Sequence, residues 1–141
     1  MADKKFKVGY TAGVFDMFHI GHLKLLMQAK EQCERLIVAV STDELVEQYK
    51  HKHTVIPYDE RVAIVKAIRY VDEVVPQINR DKKAAFDKYG FDAMFVGDDW
   101  KGSEIFADVD AYMRKRGGQV VYLKHTDGIS STVLREKINK R

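Results

Sequence analysis

The chain has one cysteine, one tryptophan and no apolar run near the roughly 18 residues that a membrane span needs. Cys33 has no second thiol to pair with, which excludes an intrachain disulfide scaffold and favours a reducing compartment. The opening Met-Ala-Asp-Lys-Lys leads into no apolar stretch and reads as no signal peptide, so a cytoplasmic protein with no membrane partner is expected. Internal repeats, low-complexity tracts and linkers are missing too, and residues 1–141 read as one domain. The excess of positive charge is small, +3. It suits anionic small molecules and falls short of what nucleic acid demands, so no nucleic-acid partner is expected. What the chain does have is 45% hydrophobic and 32% charged residues, enough for a core.

Five short runs rich in β-branched and aromatic residues stand out, at 5–11, 35–41, 71–76, 92–97 and 119–123. Each is largely apolar rather than alternating, as expected of strands buried on both faces. Helical patterns lie between them: Leu23, Leu25, Leu26 and Ala29; Val62, Ala63, Val65, Ala67 and Ile68; Ala84, Ala85 and Phe86; Val109, Tyr112 and Met113; and Val133, Leu134 and Ile138. Another helix starts at Asp43 before Lys50-His51-Lys52-His53 breaks the apolar pattern. The alternation predicts an α/β fold, a doubly wound five-stranded parallel sheet with helices on both faces. Ligands of such sheets bind beyond the carboxyl ends of the strands. The segments leaving those ends are 12–22, 42–53, 77–83, 98–102 and 124–132.

The first of these holds Gly13, Val14, Phe15 and Asp16, then His19-Ile20-Gly21-His22. Gly13 permits a tight turn after the strand. Two histidines three apart at a helix start point the same way at its positive end, and Gly21 lets an anion approach the backbone. Imidazoles with free helix N–H groups can cradle a triphosphate and charge growing on its α-phosphorus. Asp16 can steer a histidine tautomer or a metal-bound water, or cap its own turn. Asp98, Asp99 and Trp100 leave the fourth strand, where carboxylates can orient hydroxyls or reach a cation and the indole can wall a pocket; the alternative is a helix N-cap and a packed aromatic. Gly128 makes a turn before Ser130, Ser131 and Thr132, whose hydroxyls and N–H groups can hold phosphates or cap a helix.

Taken together, these blocks resemble the cytidylyltransferase branch of the H-x-G-H nucleotidyltransferase superfamily, and within it the glycerol-3-phosphate cytidylyltransferases. The resemblance rests on G-x-F-D-x-x-H-x-G-H at Gly13 to His22, Arg-Tyr-Val-Asp-Glu-Val from Arg69, Gly-Asp-Asp-Trp from Gly97, and His125-Thr126-Asp127-Gly128-Ile129-Ser130-Ser131 with Thr132 following. It implies a Rossmann-like fold and direct in-line attack of an acceptor phosphate oxygen on the α-phosphorus of CTP. Pyrophosphate would leave, Mg²⁺ would come with the nucleotide, and no covalent enzyme intermediate would form. It further implies that His19, His22 and Lys50 are catalytic, and that Gly13, Val14, Phe15 and His125 to Thr132 hold the nucleotide. Lys52, Lys83, Asp99 and Trp100 would bind the acceptor, with no resident metal site. A homodimer is implied, with Arg61 and Arg69 in the region resembling its contact. The departure is His125, where the family has Arg.

Other readings stay open. The acceptor is glycerol 3-phosphate or another phosphorylated alcohol, such as ribitol phosphate or phosphocholine. An adenylyltransferase of the same superfamily and a non-catalytic CTP-binding protein are the alternatives. A class I aminoacyl-tRNA synthetase also carries H-x-G-H, but no K-M-S-K-S-like loop follows. A zinc site from His19, His22, His51 and His53 lacks an acidic or thiol ligand.

Overall fold

A computed structural model describes residues 4–51 and 53–124. In chain order the elements are β1 (Phe6–Gly13), α1 (Ile20–Gln32), β2 (Cys33–Ser41), α2 (Asp43–Lys50), α3 (Tyr58–Lys66), β3 (Glu73–Gln77), α4 (Lys82–Tyr89), β4 (Ala93–Gly97), a single 3₁₀ turn (Asp98–Trp100), α5 (Glu104–Arg114) and β5 (Gln119–Leu123). All strand pairs are parallel and the order is β3-β2-β1-β4-β5. This is the doubly wound α/β sheet that the alternation predicts.

Both faces of the sheet are buried, which explains the continuous apolar runs. Along β2, Leu36, Val38 and Val40 face one core with Leu26 and Ala29 of α1 and Val65 of α3. Ile37 and Ala39 face the other, with Phe86 of α4 and Phe106, Val109 and Met113 of α5. Cys33 lies fully buried at the start of β2, where burial pushes its thiol pKa up to about 11. It is packing, not chemistry.

The chain winds outward from β1 in both directions, so the neighbours of β1 belong to opposite halves of the fold. Connections therefore diverge beyond the carboxyl ends of β1 and β4, and a crevice opens there.

Candidate active site

A cavity of about 470 Å³ fills that crevice. The end of β1 and the following loop supply Gly13, Val14 and Phe15; α1 supplies Gly21 and His22, with His19 at its N-cap. Tyr49 and Lys50 come from the end of α2, Gln77 from the end of β3, Arg80 from the β3–α4 connection, Lys82 from the start of α4, and Asp99 and Trp100 from the 3₁₀ turn.

The turn into α1 is strained. Phe15 and Met17 hold φ of 56° and 50°, left-handed values that a side chain disfavours. Gly13 itself has no positive φ and ends β1 as ordinary strand. Its missing Cβ matters for another reason: the Phe15 ring folds back so closely that a Cβ would sit 3.1 Å from it. The tight turn expected at Gly13 thus falls at Phe15 and Met17, and the buried Phe15 ring holds it in place.

The two histidines cap their own helix. Gly21 N–H donates to His19 Nδ1 at 3.0 Å, and His19 N–H donates to His22 Nδ1 at 3.1 Å. The pair is a capping box in which imidazoles replace the usual hydroxyl and carboxylate. These two backbone N–H groups are therefore engaged by the imidazoles, a correction to the expectation of free ones. The arrangement also fixes tautomers: a ring that accepts at Nδ1 carries its neutral-state proton on Nε2. The rings stack with centroids 3.9 Å apart, and His22 packs edge-on against Phe15 at 5.4 Å. Burial, then the neighbouring His19, lowers the His22 pKa to about 4, against a smaller opposite pull from Asp16. His22 is a neutral Nε2–H donor at physiological pH.

Asp16 is 4% exposed. Its carboxylate accepts from Val55 N–H and Ile56 N–H, each at 2.8 Å, and so pins the segment after α2 beside the histidine turn. Arg61, 1% exposed, grips the same region from α3. It donates to Ile56 O at 2.9 Å, Val14 O at 2.7 Å, Ser41 O at 2.8 Å and Asp43 Oδ1 at 2.6 Å. Asp43 in turn accepts from Thr54 Oγ1 at 2.8 Å and Tyr58 N–H at 3.1 Å. In the region resembling a dimer contact, the Arg61 guanidinium itself turns inward as a clamp joining the ends of β1 and β2 to the start of α3. Arg69 is exposed.

Asp99 and Trp100 line the cavity as expected, and Asp98 does not. Neither aspartate caps a helix, since the 3₁₀ turn starts at Gly97 without a side-chain cap bond. A Cβ on Gly97 would meet Asp99 Oδ1 at 2.5 Å, so glycine there lets the carboxylate lie against the backbone. Trp100 remains 46% exposed, edge-on to Phe106 at 5.3 Å.

Among the lysines, Lys50 lines the cavity and Lys83 does not. Lys83 pairs with Asp108 of α5 at 2.6 Å and lies over Tyr112. Its neighbour Lys82 faces the cavity. One residue along a helix is a rotation of about 100°, which an Asp-Lys-Lys sequence cannot assign to either lysine. Asp81 caps α4 by accepting from Ala84 N–H at 3.0 Å, and that fixes which lysine points in. Lys52 and residues 125–132 lie outside the described residues. His53 pairs with Glu47 at 2.6 Å and His51 ends α2 in a left-handed conformation. Among the described residues no group of three or more His, Cys, Asp and Glu gathers as a metal site. The sequence reading also missed Tyr49, Gln77 and Arg80; only their positions near strand ends pointed to them.

A cavity at the switch point of a doubly wound sheet, with a strained loop, two stacked imidazoles at a helix start and cations opposite, defines a nucleotide-binding α/β protein. The Cytidylyltransferase-like family profile matches residues 10–137, and the chain belongs to that family. It is 43% identical over 131 residues to the glycerol-3-phosphate cytidylyltransferase of Bacillus subtilis, covering 91% of this chain and 94% of that protein. It is 38% identical over 129 residues to the enzyme of the same name from Staphylococcus aureus, covering 91% and 92%. An ethanolamine-phosphate cytidylyltransferase of Arabidopsis thaliana is 38% identical over 130 residues, or 87% of this chain and 30% of that one. The fold also overlays on a lipopolysaccharide core biosynthesis protein from Thermoplasma volcanium with a TM-score of 0.70 at 23% identity, covering 86% and 97%.

Proposed function

We propose that this protein transfers CMP from CTP to glycerol 3-phosphate, releasing CDP-glycerol and pyrophosphate. The observation that carries the reading is the reciprocal His19–His22 cap at the mouth of the cavity, in a chain about 40% identical over nearly its whole length to glycerol-3-phosphate cytidylyltransferases. An oxygen of the acceptor phosphate forms a bond to the α-phosphorus as the bond from that phosphorus to the bridging oxygen of the β-phosphate breaks. The electron pair leaves with pyrophosphate, and no protein nucleophile is needed. Catalysis then rests on position and charge. His19 and His22 stabilise the negative charge on the α-phosphate through Nε2–H. Their Nδ1 bonds to the backbone hold the rings in place before substrate arrives. Lys50 faces the triphosphate, and Lys82 attracts the acceptor phosphate that two anions would otherwise keep apart.

Mg²⁺ fits as an ion brought by the nucleotide. It takes oxygen ligands and keeps waters, held by one or two carboxylates and the substrate's phosphates. Asp99 is the carboxylate among the described lining residues, and it would be the protein's ligand or its hydrogen-bond partner. Bound there, the ion would neutralise triphosphate charge. A homodimer and a cytoplasmic location belong to the same reading, the first from the family resemblance and the second from the lone buried cysteine.

The test is pyrophosphate release from CTP and Mg²⁺ with a panel of acceptors: glycerol 3-phosphate, ribitol 5-phosphate, phosphocholine and phosphoethanolamine. Glycerol 3-phosphate should give the highest kcat/KM. A higher value for another acceptor would reassign the substrate. CTP binding with no release for any acceptor would make the protein a nucleotide sensor.

A further inference from the structure

The cavity wall carries cations besides Lys50: Arg80, Lys82 and Lys124 also line it. Arg80, exposed in the β3–α4 connection, lines the cavity. Its guanidinium carbon stands 4.6 Å from the centre of the Tyr49 ring, at the end of α2. Lys50 Nζ lies 5.6 Å from the same ring. The Tyr49 ring thus lies near two cations, one from its own helix and one from the β3–α4 connection, far apart in sequence. Lys82 packs over Phe106, with its ammonium 5.4 Å from that ring centre.

Arg80 and Lys82 form no ion pair among the described residues. Asp81 between them accepts from Ala84 N–H. Burial, and after it the charge of Arg80, lowers the Lys82 pKa. Two cations in one cavity wall repel each other, and a dianion between them removes that cost. Arg80 also has what a lysine lacks: a planar fork that matches two phosphate oxygens at once, aligned here by the ring it stacks on.

We propose that Arg80, aligned on Tyr49, is a specificity-determining residue that grips the phosphate of the acceptor through the oxygens not used for attack. The proposal rests on the cytidylyltransferase reading above and names the group that selects a phosphomonoester acceptor.

The test compares Arg80→Gln and Arg80→Lys with the wild-type protein, measuring KM for glycerol 3-phosphate, KM for CTP, and competitive inhibition by inorganic phosphate against the acceptor. The side chain is exposed, so the fold should persist, and circular dichroism checks it. Arg80→Gln should raise the acceptor KM about ten- to a hundredfold, the range for a lost charged hydrogen bond, and weaken phosphate inhibition in parallel. The KM for CTP should stay within about twofold, and Arg80→Lys should fall between the other two proteins. An unchanged acceptor KM overturns the proposal, as do equal rises in both KM values or unchanged phosphate inhibition. If the wild-type protein releases no pyrophosphate with glycerol 3-phosphate, the proposed function fails separately. Direct binding of inorganic phosphate to the CTP-loaded proteins then still reads Arg80, and equal dissociation constants overturn its role.

Discussion

At the α1 end of the cavity, polar groups satisfy one another before any substrate arrives: His19 and His22 accept backbone N–H groups and stack together, and burial holds His22 neutral. At the β3–α4 end, Arg80 and Lys82 stand close with like charge, and the carboxylate between them is turned to a helix cap. The first end is rigid and gives up nothing when charge develops in the reaction. The second is strained electrostatically until an anion binds. That difference separates transition-state stabilisation from substrate capture, and each can be disturbed without the other.

The harshest break is Arg61→Ala, which removes the clamp joining the ends of β1 and β2 to the start of α3. Loss of the buried guanidinium orphans the Val14, Ser41 and Ile56 carbonyls and should cost about 3–5 kcal/mol of stability, read by urea denaturation. A loss under about 1 kcal/mol would show that the clamp is redundant with Asp16 and Asp43.

Next is the rigid end. His19→Ala or His22→Ala should lower kcat by about a hundredfold or more, the cost of one preorganised donor. The capping role adds a stability loss of about 1 kcal/mol for His19→Ala. His19→Asn sharpens the point, because asparagine restores the cap without an imidazole. It should recover stability and leave kcat low; recovery of both would reduce His19 to a helix cap.

The neutrality of His22 gives a pH dependence with a definite sign. Its folded-state pKa of about 4 lies below the ordinary value of 6.5, so the unfolded chain takes up the proton first. The stability from neutral His22 is whole above about pH 6.5 and drains as pH falls toward 4, by at most roughly 3 kcal/mol. Wild-type minus His22→Gln stability, followed from pH 7.5 to 4.5, should show this loss. A flat difference would mean that the ring is solvated and titrates normally.

The mildest disturbance is at the capture end. Lys82→Ala should raise the acceptor KM about tenfold with a smaller effect on CTP, whereas Lys83→Ala, aimed at Asp108, should change either KM by less than about twofold. The reverse ranking would restore the lysine that the sequence reading favoured.

Much of this protein could be read from the chain itself. Apolar runs without alternation specify strands covered on both faces, and strand–helix alternation permits little besides a doubly wound parallel sheet. The G-x-F-D-x-x-H-x-G-H block puts His19 and His22 in the cavity wall because strand, turn and helix start are local events. The same locality kept Asp99 and Trp100 at the end of β4 and so near the cavity.

Direction, partner and protonation were decided by the fold alone. Which of Lys82 and Lys83 faces the cavity depends on where Asp81 starts a helix and on Asp108, distant in sequence. Arg61, read as part of a region resembling a dimer contact, becomes an internal clamp once the ends of β1 and β2 close around it. Arg80 gains meaning only when Tyr49, 31 residues earlier, is laid against it. The neutral state of His22 comes from its burial beside His19 and Phe15. The sequence determines which groups the protein owns. Their charge, tautomer and reach are set by neighbours that only tertiary packing brings within a few ångströms, because desolvation and Coulomb terms act through space and not along the chain.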